Sequence, residues 1–170
     1  MNTDNTVEYN SLGWVKAQLD DVLDDAQSNL SEYIENQDSE HLENCIEHLQ
    51  LIYGTLQMVE VYGAAMLAEE MRHTTAALLE GKIERAKDAY DVLMRAMLQL
   101  PDYLEGIQAG KKDAPITLMS LINDLRTARK EGLLTESVLF SPDVENTELV
   151  SDEYDADAIE PGKLEGETKR

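Results

Sequence analysis

The sequence predicts an all-α protein, an up-down four-helix bundle to which a fifth helix is added. Apolar residues recur at spacings of three and four along most of the chain, which is the period of an amphipathic helix. Aromatic residues make up only 5% of the chain, and β-branched residues are sparse where this pattern is strong, so strands are not expected. Glycine and proline divide the apolar stripes into segments of helical length.

The first two helices are predicted from their caps and stripes. Ser11 is expected to cap the first helix, which ends near Asn36, because a serine hydroxyl can accept a bond from a free N–H of the first turn. Asp38 or Ser39 is expected to cap the second helix, and its apolar stripe reaches Val59.

Glycine and proline set the bounds of the later helices. Gly81 is expected to end the third helix, and the fourth begins near Lys82. Pro101 lacks a backbone N–H and is expected to kink or interrupt that fourth helix. Pro115 is expected in the first turn of the fifth helix, where a missing N–H costs nothing, and Gly132 is expected to end it.

The chain is strongly acidic, with 35 Asp and Glu residues against 14 Lys and Arg and a formal net charge of -21. This balance argues against nucleic-acid binding, which needs basic side chains to neutralise phosphates. It also argues against direct contact with an anionic membrane surface. No apolar run approaches the roughly 20 residues that span a bilayer, and the first ten residues do not resemble a signal peptide. We therefore expect a cytoplasmic protein.

Composition also predicts the domain organisation. Residues 1–10 are polar and are expected to form a flexible N-terminus, followed by the helical bundle over residues 11–141. Ten of the 29 residues in 142–170 are Asp or Glu, and few are apolar. Such a segment cannot bury enough apolar surface to fold, so we expect a disordered acidic tail or linker there.

Enzymatic chemistry finds little support in the sequence. Cys45, the only cysteine, lies on the apolar stripe of the second helix, where a buried structural role is expected. There is no glycine-rich phosphate loop and no nucleophile elbow. Glu70 and His73 have the i, i+3 spacing of di-iron bundles, but neither His41 nor His48 completes a second such pair. All four are expected on a solvated surface, and no metal or cofactor is expected.

Gly54 is the most informative residue of the second helix. A glycine inside a helix costs about 1 kcal/mol relative to alanine, so it needs a reason. At about 100° per residue from the buried Leu49, Gln50 and Gly54 face outward, and Leu51 and Met58 fall near the far side. This pattern predicts an exposed contact surface. The alternative is that Gly54 allows close packing of the first helix, which would then cover Leu51 and Met58.

Residues 50–54 resemble the His-x-x-Lys-Gly motif of histidine-phosphotransfer (HPt) domains, which are helical bundles. Gln50 stands in place of the histidine and Tyr53 in place of the lysine, while Gly54 matches. The glutamine amide has no nucleophilic nitrogen, so the resemblance implies an HPt-like domain with no catalytic residue. It implies an interaction face made of Gln50, Leu51, Tyr53, Gly54, Gln57 and Met58.

Longer segments resemble the N-terminal region of PilL/ChpA-type chemosensory histidine kinases and of the related FimL family. They are residues 54–71, 100–104, 121–129 and 134–143, and the similarity covers Leu12 to Asp143. The resemblance implies a role in the chemosensory system of type IV pili and twitching motility. The implied partners are a response-regulator receiver domain or kinase domains, and a second copy of the chain is a further possible partner.

Two alternatives stay open at this point. In the first, the chain is an active phosphotransfer domain that uses a displaced histidine, His48 or His41, although neither is followed by glycine one turn later. In the second, it is an unrelated metal-binding or ligand-binding bundle based on Glu70 and His73.

Overall fold

The computed structural model describes residues 3–140 and the side chains of residues 11–139, and this part of the chain contains helices and no strand. The all-α prediction is confirmed. The predicted acidic tail, 142–170, lies outside the described residues. The helices are α1 (Thr3–Asn36), α2 (Ser39–Met58), α3 (Tyr62–Leu79), α4 (Ala86–Gln108), α5 (Pro115–Ala128) and α6 (Glu136–Phe140).

Four helices form a closed ring around one core. Helices α1 and α3 each pack against both α2 and α4, and α5 packs outside the ring against α3 and α4. The connections α1–α2 and α2–α3 span only residues 37–38 and 59–61, so consecutive helices run antiparallel. The result is the up-down bundle with an added fifth helix. None of the described helices is long and apolar enough to cross a membrane.

The bundle core is built almost entirely of aliphatic side chains. Burying one leucine or isoleucine contributes about 1.5–3 kcal/mol, so these stripes dominate the stability of the fold. The largest fully buried side chains come from all five helices of the bundle: Leu12, Leu30, Leu42, Leu49, Ile52, Leu56, Leu67, Met71, Leu93, Leu100, Leu104 and Ile122.

The observed helix starts correct two predictions. Helix α1 begins at Thr3, so Ser11 lies inside the helix and does not cap it. Helix α4 begins at Ala86 rather than near Lys82, because α3 ends in a Schellman motif. In this motif Gly81 has a φ of 69° and the N–H of Lys82 donates to the carbonyl of Ala77, 2.9 Å away. That residues 1–10 are flexible stays a prediction.

Two further expectations concern Pro101 inside α4 and the two ends of α5. Helix α4 continues through Pro101 without interruption. Leu100 and Leu104, on either side of the proline, are both fully buried, and their packing in the core favours a continuous helix. Helix α5 begins at Pro115 as predicted but ends at Ala128, before Gly132. At this end the N–H of Glu131 donates to the backbone carbonyl of Arg126. Lys130 adopts a left-handed φ of 59°, a conformation that usually favours glycine.

An aspartate from the α4–α5 connection caps α3 in place of a local cap. Asp113 Oδ2 accepts a bond from the N–H of Gly63 at 2.8 Å, and its Oδ1 accepts one from the Tyr103 hydroxyl. The Tyr103 oxygen in turn accepts from the N–H of Ala114 at 2.7 Å. Burial and the adjacent Asp113 carboxylate raise the pKa of Tyr103. This Asp113 clip joins α3, α4 and the start of α5.

Candidate functional site

The outer side of α2 carries the residues that the sequence analysis selected. Leu49 is fully buried, while Gln50 and Gln57 are exposed. Leu51 is 56% exposed and Met58 is 85% exposed, so two large apolar side chains lie in solvent on one side of α2. We refer to Gln50, Leu51, Tyr53, Gly54, Gln57 and Met58 as the Gly54 face.

Gly54 lies in the middle of this face with open space around it. A Cβ atom placed on Gly54 would meet no heavy atom within 4 Å. The alternative, in which this glycine allows α1 to pack closely, is therefore wrong. Nothing inside the bundle requires glycine here, although alanine would favour the helix by about 1 kcal/mol.

Tyr53, at the position of the HPt lysine, is the least exposed of the large side chains of the Gly54 face. It is half-buried and packs against the core. Its hydroxyl accepts a hydrogen bond from Gln57 Nε2 at 2.7 Å, which holds the glutamine amide along the helix. The polar part of the Gly54 face is thus fixed by a local i, i+4 contact.

Leu51 also borders a groove between α1 and α2. We call it the α1/α2 groove, and it encloses a cavity of about 110 Å³. The cavity is lined by Gln18, Leu19, Val22, Leu51 and Thr55. Helix α1 therefore lies beside Leu51 without covering it. The groove and the Gly54 face share Leu51 and form one continuous outer surface.

The two histidines of α2 lie between α2 and α1, and the expectation of a solvated surface is corrected. His41 Nε2 is 3.2 Å from Glu32, and His48 Nε2 is 3.9 Å from Asp25. His48 Nδ1 donates to the carbonyl of Asn44 at 2.7 Å. A phosphoryl group on the free nitrogen of His48 would face a carboxylate, which opposes its use as a displaced phosphoacceptor.

Glu70 is buried, so its predicted solvated position is wrong. Its Oε1 accepts a bond from Arg126 Nη1 at 2.8 Å, and its Oε2 accepts one from Arg129 Nη2. His73 lies beside this cluster, and burial together with Arg72 and Arg129 lowers its pKa. No group of three metal-ligating side chains occurs within the described residues. Glu70 therefore belongs to a structural ion pair with Arg126 and Arg129, and its spacing from His73 gives no support to a metal site.

Cys45 is fully buried, and burial raises the pKa of its thiol to about 12 from an ordinary value of 9.0. We expect no reaction of the native protein with a thiol-specific disulfide reagent at pH 8, and full reaction after unfolding in urea. Because the unfolded thiol ionises first, this group should lower stability as the pH rises from about 9 towards 12. Rapid labelling of the native chain would contradict the buried placement.

Trp14 is the residue that the sequence analysis missed. It is the only tryptophan and is 87% exposed on α1. The signal was present, because Trp14 lies between Leu12 and Val15 and off the inward stripe of the helix. A large exposed aromatic side chain is typical of contact surfaces.

Fold and surface together define a helical-bundle domain with exposed apolar side chains on α1 and α2. The chain belongs to the FimL C-terminal domain family, whose model matches residues 10–121. It is 33% identical over 132 residues to the scaffold protein FimL of Pseudomonas aeruginosa (strain PAO1). The match covers 77% of this chain and 24% of FimL. No solved structure matches the chain.

The family match confirms the resemblance to FimL and corrects which region of FimL this chain resembles. The sequence analysis placed the similarity in the N-terminal region of kinases and of FimL, whereas the matching family is described as the C-terminal domain of FimL. The chain spans 24% of the length of the curated relative it matches.

Proposed function

We propose that this chain is a non-catalytic, HPt-like docking domain of a cytoplasmic assembly that serves type IV pilus chemosensory signalling. Membership of the FimL C-terminal domain family and the scaffold name of its relative support a protein-binding role. The observation that carries the proposal is the Gly54 face, where exposed Leu51 and Met58 flank a glycine that the bundle itself does not need.

The geometry of the Gly54 face suits a partner that approaches closely. Leu51 and Met58 are seven residues apart, which places them two turns or about 10 Å apart along α2. Between them Gly54 presents only backbone, so a partner surface can approach the backbone of α2 between these two apolar side chains. Covering both side chains removes apolar area from water, which favours binding.

The partners that fit this proposal are a response-regulator receiver domain or kinase domains of the same signalling system. The HPt resemblance places Gln50 where a phosphoacceptor would lie, so docking would occur without phosphoryl transfer. No nucleic acid, membrane surface, metal or cofactor enters the proposal.

The test combines labelling and binding in one experiment. The chain is incubated with the kinase core of its own system and ATP, beside a histidine-bearing HPt domain, and acid-labile phosphate is measured on both. We expect label on the control alone, and binding of a receiver or kinase domain that falls at least about tenfold in Leu51→Arg and Met58→Arg. Leu98→Arg, at a side chain 59% exposed on α4, is the matched control and should bind normally.

Two outcomes would contradict the proposal. Acid-labile phosphate on this chain that disappears in His48→Gln would identify an active phosphotransfer domain with a displaced histidine. Unchanged binding of every partner domain by Leu51→Arg and Met58→Arg would show that the Gly54 face is not the docking surface.

A further inference from the structure

We infer that the α1/α2 groove binds a basic amphipathic helix of a partner protein. The inference rests on the proposed docking function and deepens it by naming the chemistry of the docked segment. It is carried by two features of the same surface, an exposed apolar strip and the sign of the charges around it.

The apolar strip is contributed by both helices. The contacts His48–Asp25 and His41–Glu32 show the antiparallel register of α2 against α1. This register places Leu51 beside Val22, as the lining of the groove shows, and it brings Trp14 level with Met58.

Trp14 also lies on the correct side of α1. It precedes Gln18 by four residues, and positions four apart share one side of a helix. Leu51 and Met58, seven apart, share one side of α2. The strip thus runs from Val22 and Leu51 to Trp14 and Met58, over two turns on each helix. A bound helix lying along this seam would present apolar side chains at i, i+3 or i+4, and i+7.

The charges around the strip are almost all negative. Residues 11–60 carry eleven Asp and Glu residues and one basic residue, Lys16, which is paired with Asp20. Residues 61–140 carry twelve acidic and ten basic residues, so the rest of the bundle is nearly neutral. The acidic half of the bundle is therefore the half that contains the groove.

Two carboxylates lie on the same sides of α1 and α2 as the groove, beyond one of its ends. Asp25 follows Gln18 by seven residues, and Glu47 precedes Leu51 by four, so both continue the strip towards the α1–α2 connection. Asp25 is 68% exposed, and its carboxylate lies 3.9 Å from His48 Nε2. A partner helix with lysine or arginine at this end would meet unneutralised carboxylates.

The same charges argue against two other occupants. The chain's own segment 142–170 carries ten acidic and three basic residues, so it would be repelled from the groove. A second copy would bring an identical acidic α1/α2 surface against this one in a symmetric dimer. A basic helix is the occupant for which apolar and electrostatic terms agree.

The experiment uses Trp14 as an internal reporter, because it is the only tryptophan of the 170-residue chain. The probe is a synthetic peptide of about 18 residues with leucine repeated at i, i+3, i+4 and i+7 and with lysine at the positions on the opposite side of the helix. We expect saturable binding with a blue shift of Trp14 fluorescence. A peptide with glutamate in place of lysine, and one with the same composition in scrambled order, should each bind at least about tenfold more weakly.

Variants locate the binding on the groove. The double variant Leu51→Ala/Met58→Ala should weaken binding about tenfold or more, while Leu98→Ala should not. Asp25→Asn/Glu47→Gln should reduce both the affinity and its dependence on salt, because two of the counter-charges are removed. The exposed pair Asp102→Asn/Glu105→Gln on α4 changes the net charge equally and serves as the control.

Equal binding of the scrambled peptide, or unchanged binding by the Leu51→Ala/Met58→Ala variant, would overturn the inference. So would a stable dimer of the chain that dissociates in that variant, because the occupant would then be a second copy. If signalling domains bind the Gly54 face but the basic helix does not, only this inference fails. If the helix binds and no signalling domain does, the proposed function fails and the groove assignment stands.

Discussion

Replacing Glu70 by alanine should lower the free energy of unfolding by about 3–5 kcal/mol. The carboxylate accepts bonds from Arg126 and Arg129, and its own side chain is only 10% exposed. Removing it leaves two guanidinium groups close together without their counter-charge, and losing one partner of a buried ion pair has a cost of this size. Urea unfolding followed by circular dichroism measures the change.

The control for Glu70→Ala is an ion pair that also holds the end of α5 but lies in solvent. Glu84 pairs with Lys130 at 2.8 Å, and both side chains are more than 70% exposed. Water already screens this pair, so Glu84→Ala should leave the unfolding midpoint nearly unchanged. Similar losses in the two variants would show that the Glu70 cluster behaves as a surface pair.

Replacing Gly63 by alanine should destabilise the protein by roughly 2–4 kcal/mol, whereas replacing Gly54 by alanine should stabilise it by up to about 1 kcal/mol. A Cβ on Gly63 would overlap the Asp113 carboxylate and come within 3.1 Å of the Tyr103 hydroxyl. Asp113 would have to move away, and its bonds to the Gly63 N–H and to Tyr103 would be lost.

The two glycine variants form a matched pair, because the chemical change is identical and only the surroundings differ. Thermal or urea unfolding gives both signs in one experiment. Gly13, which lies inside α1 with nothing within 4 Å of its Cβ position, provides a second helix glycine in open space. A Gly54→Ala variant that is more stable but binds its partner less well would separate the docking role of this glycine from any structural one. Destabilisation by Gly54→Ala would contradict the open space described around it.

Much of the fold was predictable because helix signals are local. The cap of α2 at Asp38, whose carboxylate accepts from the N–H of Glu40 at 3.1 Å, depends on residues two positions apart. Gly81 and Pro115 likewise act on their own turn of chain. The stripes placed the core because a spacing of three or four converts directly into one face of a helix.

The features that escaped prediction depend on residues far apart in the sequence. Glu70 pairs with arginines 56 and 59 positions later, and Asp113 caps α3 by accepting a bond from Gly63, 50 positions earlier. No spacing rule pairs such residues before the packing of α3, α4 and α5 is known. The same reason separates the Gly54 face from the α1/α2 groove. The first follows from the periodicity of one helix, whereas the second requires the register between two.

The two- and three-residue connections of α1, α2 and α3 have a consequence for the kinetics of folding. Helices that are consecutive in sequence pack against each other, so most of their contacts join residues of modest sequence separation. Proteins with such low contact order fold quickly, because little chain entropy is lost before a contact forms. The bridges from Glu70 to Arg126 and Arg129 close much longer loops, so we expect them to form after α1, α2 and α3 have packed together.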